Sequence, residues 1–102
     1  RWNPEEMLLS ALSQCHLLSY LHVAMRRGVV VAAYRDSPVG TMVQTTDGGG
    51  KFTTVTLRPV VTVQSADMVD AAREAHHEAS LECFIAASVN FPVLHEPTIV
   101  VG

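Results

Sequence analysis

Between residues 7 and 25 apolar side chains recur so densely that they occupy every side of a 3.6-residue period. Met7, Leu8, Leu12, Leu18, Leu21 and Met25 are among them. A helix is expected here, opened by Asn3 as cap, Pro4 in its first position and Glu5 and Glu6 in its first turn. Arg26 and Arg27 suit its C-terminus and Gly28 its stop. A helix apolar on all sides is expected to be buried nearly all round.

The period then changes to that of strands. Val29 to Arg35 is short and β-branched, Asp36-Ser37-Pro38 reads as a turn, and Val39 to Gln44 is a second strand. Asp47-Gly48-Gly49-Gly50 closes a hairpin into a third strand, Phe52 to Val63. That strand alternates Val55, Leu57, Val61 and Val63 with Thr54, Thr56, Arg58 and Thr62, so one face is dry and the other wet. Pro59 marks it as an edge strand or a bulge. Ser65 or Asp67 can cap a second helix carrying Met68, Ala72, Ala75 and Ala79 on one face. Cys83 to Val89 continues it beyond a kink, Pro92 ends it, and Thr98 to Val101 is extended. The fold class is α+β: a long buried central helix, an antiparallel β-meander and a second helix.

Composition narrows the function. The 102 residues are one domain, 48% hydrophobic and 17% charged, with a formal charge of −3. Seven Lys and Arg against ten Asp and Glu leave no basic stripe for phosphates, so nucleic acid is not expected as a partner. The longest apolar run, Val29 to Ala33, falls far short of the roughly 20 residues of a membrane span; neither a span nor a signal peptide is expected. A mean hydropathy of +0.22 in so short a chain calls for cover from a further segment or a second subunit.

Cys15 and Cys83 lie far apart with no C-x-x-C, which excludes a zinc ribbon or a dense disulfide framework. Each reads singly as a small core residue, while together they can form a nucleophile and a resolving thiol. His16, His22, His76, His77 and His95 include no pair four residues apart with another His or Cys. His22 follows Cys15, and Cys83 follows His76, by seven positions, about 10 Å along a helix, so surface or capping histidines are expected and no metal. The glycine run lacks the Lys-Ser/Thr and helix of a phosphate loop. Cys15, Ser19 and His22 lack the strained turn of a hydrolase nucleophile.

The stretch Asn3-Pro4-Glu5-Glu6-Met7-Leu8-Leu9-Ser10-Ala11-Leu12-Ser13-Gln14-Cys15-His16 resembles the reactive-cysteine helix of the OsmC/Ohr family. Cys83-Phe84-Ile85-Ala86-Ala87-Ser88-Val89-Asn90 resembles its second-cysteine helix, and Val55-Thr56-Leu57-Arg58-Pro59 is similar to the strand before its second helix. The resemblance covers almost the whole chain, in order. It implies an OsmC-like fold and a cytoplasmic, thiol-dependent peroxidase that reduces organic hydroperoxides. Cys15 would become a sulfenic acid and Cys83 would condense with it to a disulfide that a lipoyl-type dithiol reopens, with no cofactor. Glu5 matches a carboxylate that partners an activating arginine in the family. Ten helical residues, about 15 Å, would separate Glu5 from Cys15, so one site must combine Glu5 of one subunit with Cys15 of the other in an intertwined homodimer.

The family's arginine precedes the N-P-E motif. Arg1, Arg26, Arg27, Arg35, Arg58 and Arg73 do not match it, and residues 1–102 are expected to be a single domain lacking its N-terminal strands. A non-catalytic redox sensor or apolar-ligand-binding protein of the same fold is the alternative; inert buried cysteines in a structural fragment are the third reading.

Overall fold

The computed structural model describes residues 3–102; Arg1 lies outside them. Helix α1 runs unbroken over Pro4–Arg26. Asn3 accepts the Glu6 N–H at 2.7 Å and donates its amide to the Glu6 carboxylate at 3.0 Å, a reciprocal cap at the predicted start. At the other end Gly28 takes φ +73°, Gly28 N–H donates to Met25 O, and Val29 N–H reaches back to Ala24 O at 2.9 Å. Val29 and Ala24 are both buried, so this turn also closes one end of the core.

Strands β1 (Val31–Asp36), β2 (Val39–Gln44), β3 (Gly50–Leu57) and β4 (Pro59–Val63) follow. A 3-10 turn, Ala66–Met68, leads into α2 (Val69–Glu82); after Cys83 come α3 (Phe84–Ala87), β5 (Val93–His95) and β6 (Thr98–Val101). Ser65 precedes the 3-10 turn without a side-chain cap bond. The strand order is β1-β4-β6 in one sheet and β2-β3-β5 in the other. The predicted turn at Ser37-Pro38 therefore does not reverse the chain.

Instead β1 and β2 are successive halves of one long strand, both antiparallel to successive halves of another, β3 and β4. Their register carries straight across the break, with Asp36 opposite Pro59 and Val39 opposite Thr56. The C-terminal pair β5 and β6 runs parallel to β3 and β4, again in one register, Leu57 opposite His95 and Val60 opposite Thr98. The result is a three-stranded ribbon creased across its middle, a long hairpin plus a parallel strand. A proline stands at the crease in each strand, Pro38, Pro59 and Pro97, where no ladder N–H is needed. Pro59 therefore opens a central strand and does not mark an edge.

The crease divides the core in two. One cluster joins Tyr20, Val23 and Ala24 of α1 to Val61 and Val63 of β4 and to Ala72, Ala75 and Ala79 of α2. The other joins Leu12, Leu8 and Leu9 of α1 to Val55 and Leu57 of β3, with Ala86, Phe91 and Val93 packed on them. Only α1 spans both. Its buried residues, Leu12, His16, Tyr20, Val23 and Ala24, form one face, so within this chain the helix is not buried all round. The opposite face is an open apolar stripe of Met7, Ala11, Leu18, Leu21 and Met25, with Leu18 69% and Met25 70% exposed.

Asp36 pins the crease. Its Oδ1 accepts the Arg58 N–H at 2.7 Å, and its Oδ2 accepts the Ser13 hydroxyl of α1 at 2.6 Å. One carboxylate thus ties the bend of two strands to the helix that bridges them. Asp36→Ala should lower the urea-unfolding free energy by about 2 kcal/mol, since two donors lose a charged acceptor. A change within error would show that the crease holds without it.

Candidate functional site

Cys15 projects from the middle of α1 and is half-buried; Cys83 is buried, and neither is in a disulfide. They meet because α2 stops at Glu82. Cys83 itself is extended, with φ −80° and ψ 109°, and α3 restarts at Phe84 in a new direction. The predicted kink therefore falls on the cysteine, and the helix after it is shorter than Cys83 to Val89. In an unbroken helix the N–H groups of Phe84 and Ile85 would point back to the preceding turn. The break frees them to act on the Cys15 sulfur, together with the Cys83 thiol, and the Ile85 N–H acts on Cys83 as well.

The two thiols are pushed in opposite directions. Burial opposes ionisation of Cys15, but hydrogen bonding to Cys83 and to the Ile85 and Phe84 N–H groups outweighs it, and its pKa falls below the ordinary thiol value. Cys83 is pushed up to about 11, by burial first and then by the Cys15 sulfur beside it. Cys15 is the better thiolate, with Cys83 as its protonated neighbour. None of the described arginines contributes to the lowering.

Glu5 does not join this pair. It lies exposed near the start of the unbroken α1, ten positions before Cys15, a separation of about 15 Å. There it helps line a cavity of about 490 Å³ with Met42, Lys51 and Phe52 beside the β2–β3 hairpin. The glycines of that hairpin form its tip, and Gly48 takes φ +93°.

The histidines depart furthest from the surface role expected of them. His16 and His76 are 0% and 2% exposed, and His16 Nε2 lies 2.9 Å from His76 Nδ1, joining α1 to α2. The His95 ring lies tilted at 4.6 Å from that of His16, and the Tyr20 ring stacks at 4.0 Å on that of His76. Tyr20 donates its hydroxyl to Ala72 O at 2.9 Å. Within the histidine pair one ring donates and the other accepts, so His16 Nδ1 and His76 Nε2 are left without protein partners, as is the Tyr34 hydroxyl. Spacing carried a signal that was missed: His16 lies four residues from both Leu12 and Tyr20, and His76 lies three before Ala79 and four after Ala72. Among the described residues no group of three or more His, Cys, Asp or Glu is arranged to hold a metal ion. Nor is any described helix long and apolar enough to cross a membrane.

Burial, with the repulsion of His95 and His76, drives the His16 pKa down to about 3. Burial and His95 drive His76 down to about 4. Burial lowers His95 too, against the pull of Asp36, and raises Tyr20 to about 12. Both buried histidines are neutral near pH 7.

Comparisons with known proteins bear on the family and the fold. The family model for OsmC-like protein matches residues 1–97. No curated protein matches the sequence. Among solved structures, an OsmC-like protein of unknown function from Vibrio cholerae is 36% identical with a TM-score of 0.81, over 92% of this chain and 62% of that one. This chain thus spans less than two thirds of that relative. Organic hydroperoxide resistance protein OhrB of Bacillus subtilis is 22% identical with a TM-score of 0.68, over 95% of this chain and 69% of that one. An OsmC-like protein from Mycoplasma pneumoniae is 19% identical with a TM-score of 0.79, over 97% and 72%. These last two show likeness of fold alone.

The histidine core sets a direction for acid stability. Below the unfolded value of 6.5 the unfolded chain takes up protons that folded His16 and His76 refuse until about pH 3 and 4. Stability is therefore intact at neutral pH and falls on acidification through that window, by about 1.4 kcal/mol per pH unit for each histidine. Urea unfolding across it should show a clearly shallower slope in the double variant His16→Leu/His76→Leu. An unchanged slope would place the acid sensitivity elsewhere.

Proposed function

Because the chain belongs to the OsmC-like protein family, we propose that it is a cysteine-based reductase of organic hydroperoxides. The observation that carries this reading is the meeting of two free thiols, Cys15 of α1 and Cys83 at the break between α2 and α3. Cys15 thiolate attacks the terminal oxygen of ROOH; the O–O bond breaks, and RO⁻ takes a proton to leave as ROH. Cys15 is then a sulfenic acid. The Cys83 thiol displaces its hydroxyl as water and forms the Cys15–Cys83 disulfide. A dithiol of lipoyl type reduces that bond by two thiol exchanges, leaving as its own cyclic disulfide. The electron balance closes on thiols alone, with no cofactor.

The functional unit we propose is a homodimer. A radius of gyration of 14.9 Å exceeds the roughly 13 Å of a compact chain of this length. The open side of α1 repeats Met7, Ala11, Gln14, Leu18, Leu21 and Met25 at alternating four- and three-residue intervals, the seam of two packed helices. Such a dimer also brings Glu5 of one subunit toward the Cys15 of its partner, which one straight helix forbids within a chain.

Peroxide consumption with a lipoyl or dithiothreitol reductant tests the chemistry. Cys15→Ser should lose essentially all turnover, whereas Cys83→Ser should turn over poorly and accumulate sulfinic acid at Cys15 by mass spectrometry. Equal rates for native protein and Cys15→Ser remove the enzyme reading. Sedimentation tests the assembly: native protein should run as a dimer and Leu18→Glu/Met25→Glu as a less active monomer. A folded, fully active native monomer at micromolar concentration would sink the shared site.

A further inference from the structure

A second group of polar side chains lies where α2 meets the turn between β5 and β6, and the cysteine chemistry does not use it. This cleft has a volume of about 210 Å³ and is lined by Arg73, His76, His77, Ser80, His95 and Pro97. The four residues of α2 recur at intervals of three, one and three, which places them along one side of the helix. No carboxylate lines the cleft.

Arg73 differs from the arginines at the end of α1. Arg26 and Arg27 are held by Glu74, Glu78 and Glu82, whereas Arg73 makes no ion pair among the described residues. Its guanidinium is a permanent charge on the cleft wall. His76 supplies an independent observation. It is 2% exposed, its Nδ1 is taken by His16, and its Nε2 is buried with no protein partner. Such a nitrogen lacks the partner that buried polar groups nearly always find. Ser80 gives its hydroxyl proton to His77 O at 2.6 Å, which leaves the guanidinium and the imidazoles as the donors.

We propose that this cleft binds the oxyanion end of a small molecule, a carboxylate or a phosphate, with Arg73 as the fixed charge and His76 and His77 as N–H donors. The volume suits such an end group, being below the roughly 300–1,000 Å³ of sites for larger ligands. Binding selects the His76 tautomer with its proton on Nε2, so Nδ1 then accepts from His16 Nε2. An anion held there becomes the missing partner of the buried pair. The site is separate from the peroxidase reading and stands or falls without it.

The test uses the intact protein with ¹⁵N-labelled histidine, titrated at constant ionic strength with sodium phosphate and, in a second arm, sodium acetate, against sodium chloride. At least one oxyanion should give saturable shifts at His76, His77 and His95, with His76 moving toward the Nε2–H pattern. The tighter arm tells phosphate from carboxylate. Arg73→Met, an exposed position, should weaken that arm at least tenfold while Arg73→Lys keeps most of the affinity. Shifts no larger than those with chloride, or native affinity in Arg73→Met, overturn the site.

Discussion

The packing of one face of α1 across both halves of a creased sheet is the constraint on which the other arrangements depend. Tyr20 and Val23 fix the helix on β4 and α2, and Leu12 fixes it on β3. Full burial of such side chains contributes roughly 1.5–3 kcal/mol each, so the helix is held at two separated points along its length. A helix so held cannot roll, and the azimuth of Cys15 follows. Met7, Leu18 and Met25 are turned outward by the same geometry, and the stripe they form is a consequence of where the inner face lies.

The polar residues collect where the two apolar clusters meet. Asp36, Arg58 and His95 lie at or beside the crease, and Ser13 and His16 are the α1 residues facing that zone. Breaking three strands at prolines leaves the ladder interrupted along one line, and polar side chains bond where the ladder does not. The same line admits the His16–His76 bond, a buried polar contact between helices that otherwise meet through apolar side chains and, at the exposed end of α1, through the ion pairs of Arg26 and Arg27. Buried polar pairs add little net stability and tolerate few alternative partners, so this one favours a single register of α1 on α2.

Much of this was legible in the chain because its signals are local. The caps of α1, the glycine that stops it, the alternation over Val55 to Val63 and the extended Thr98 to Val101 depend on near neighbours, and each is present in the structure. The two cysteine motifs were legible too, since each is a contiguous stretch. What was misread depends on residues distant in sequence. Whether Ser37-Pro38 reverses the chain or creases it is decided by what β1 and β2 pair with, and β5 is three residues held by a parallel partner and by the packing of Val93 on the core. Residue type alone favours the surface for His16 and His76, although their helical neighbours Leu12, Tyr20, Ala72 and Ala79 are all buried. Their mutual bond spans sixty positions, and no short-range pattern encodes it.

The break at Cys83 joins architecture to the proposed chemistry. An uninterrupted helix would use the Phe84 and Ile85 N–H groups within itself and leave Cys15 facing apolar surroundings, which favour the neutral thiol. By taking an extended conformation at a single residue, the chain frees those two donors and delivers the second thiol to the same sulfur. Asymmetry follows from position: on Cys15 the donors outweigh burial, while on Cys83 burial and the neighbouring Cys15 sulfur outweigh the Ala86 and Ile85 N–H groups, so it keeps its proton. A nucleophile and its resolving partner need this difference, because two equally acidic thiols would repel as thiolates and two equally neutral ones would not attack. The conformational cost of ending α2 one residue before Cys83 is thus tied to what the pair can do, and restoring the helix there would remove both the donors and the encounter.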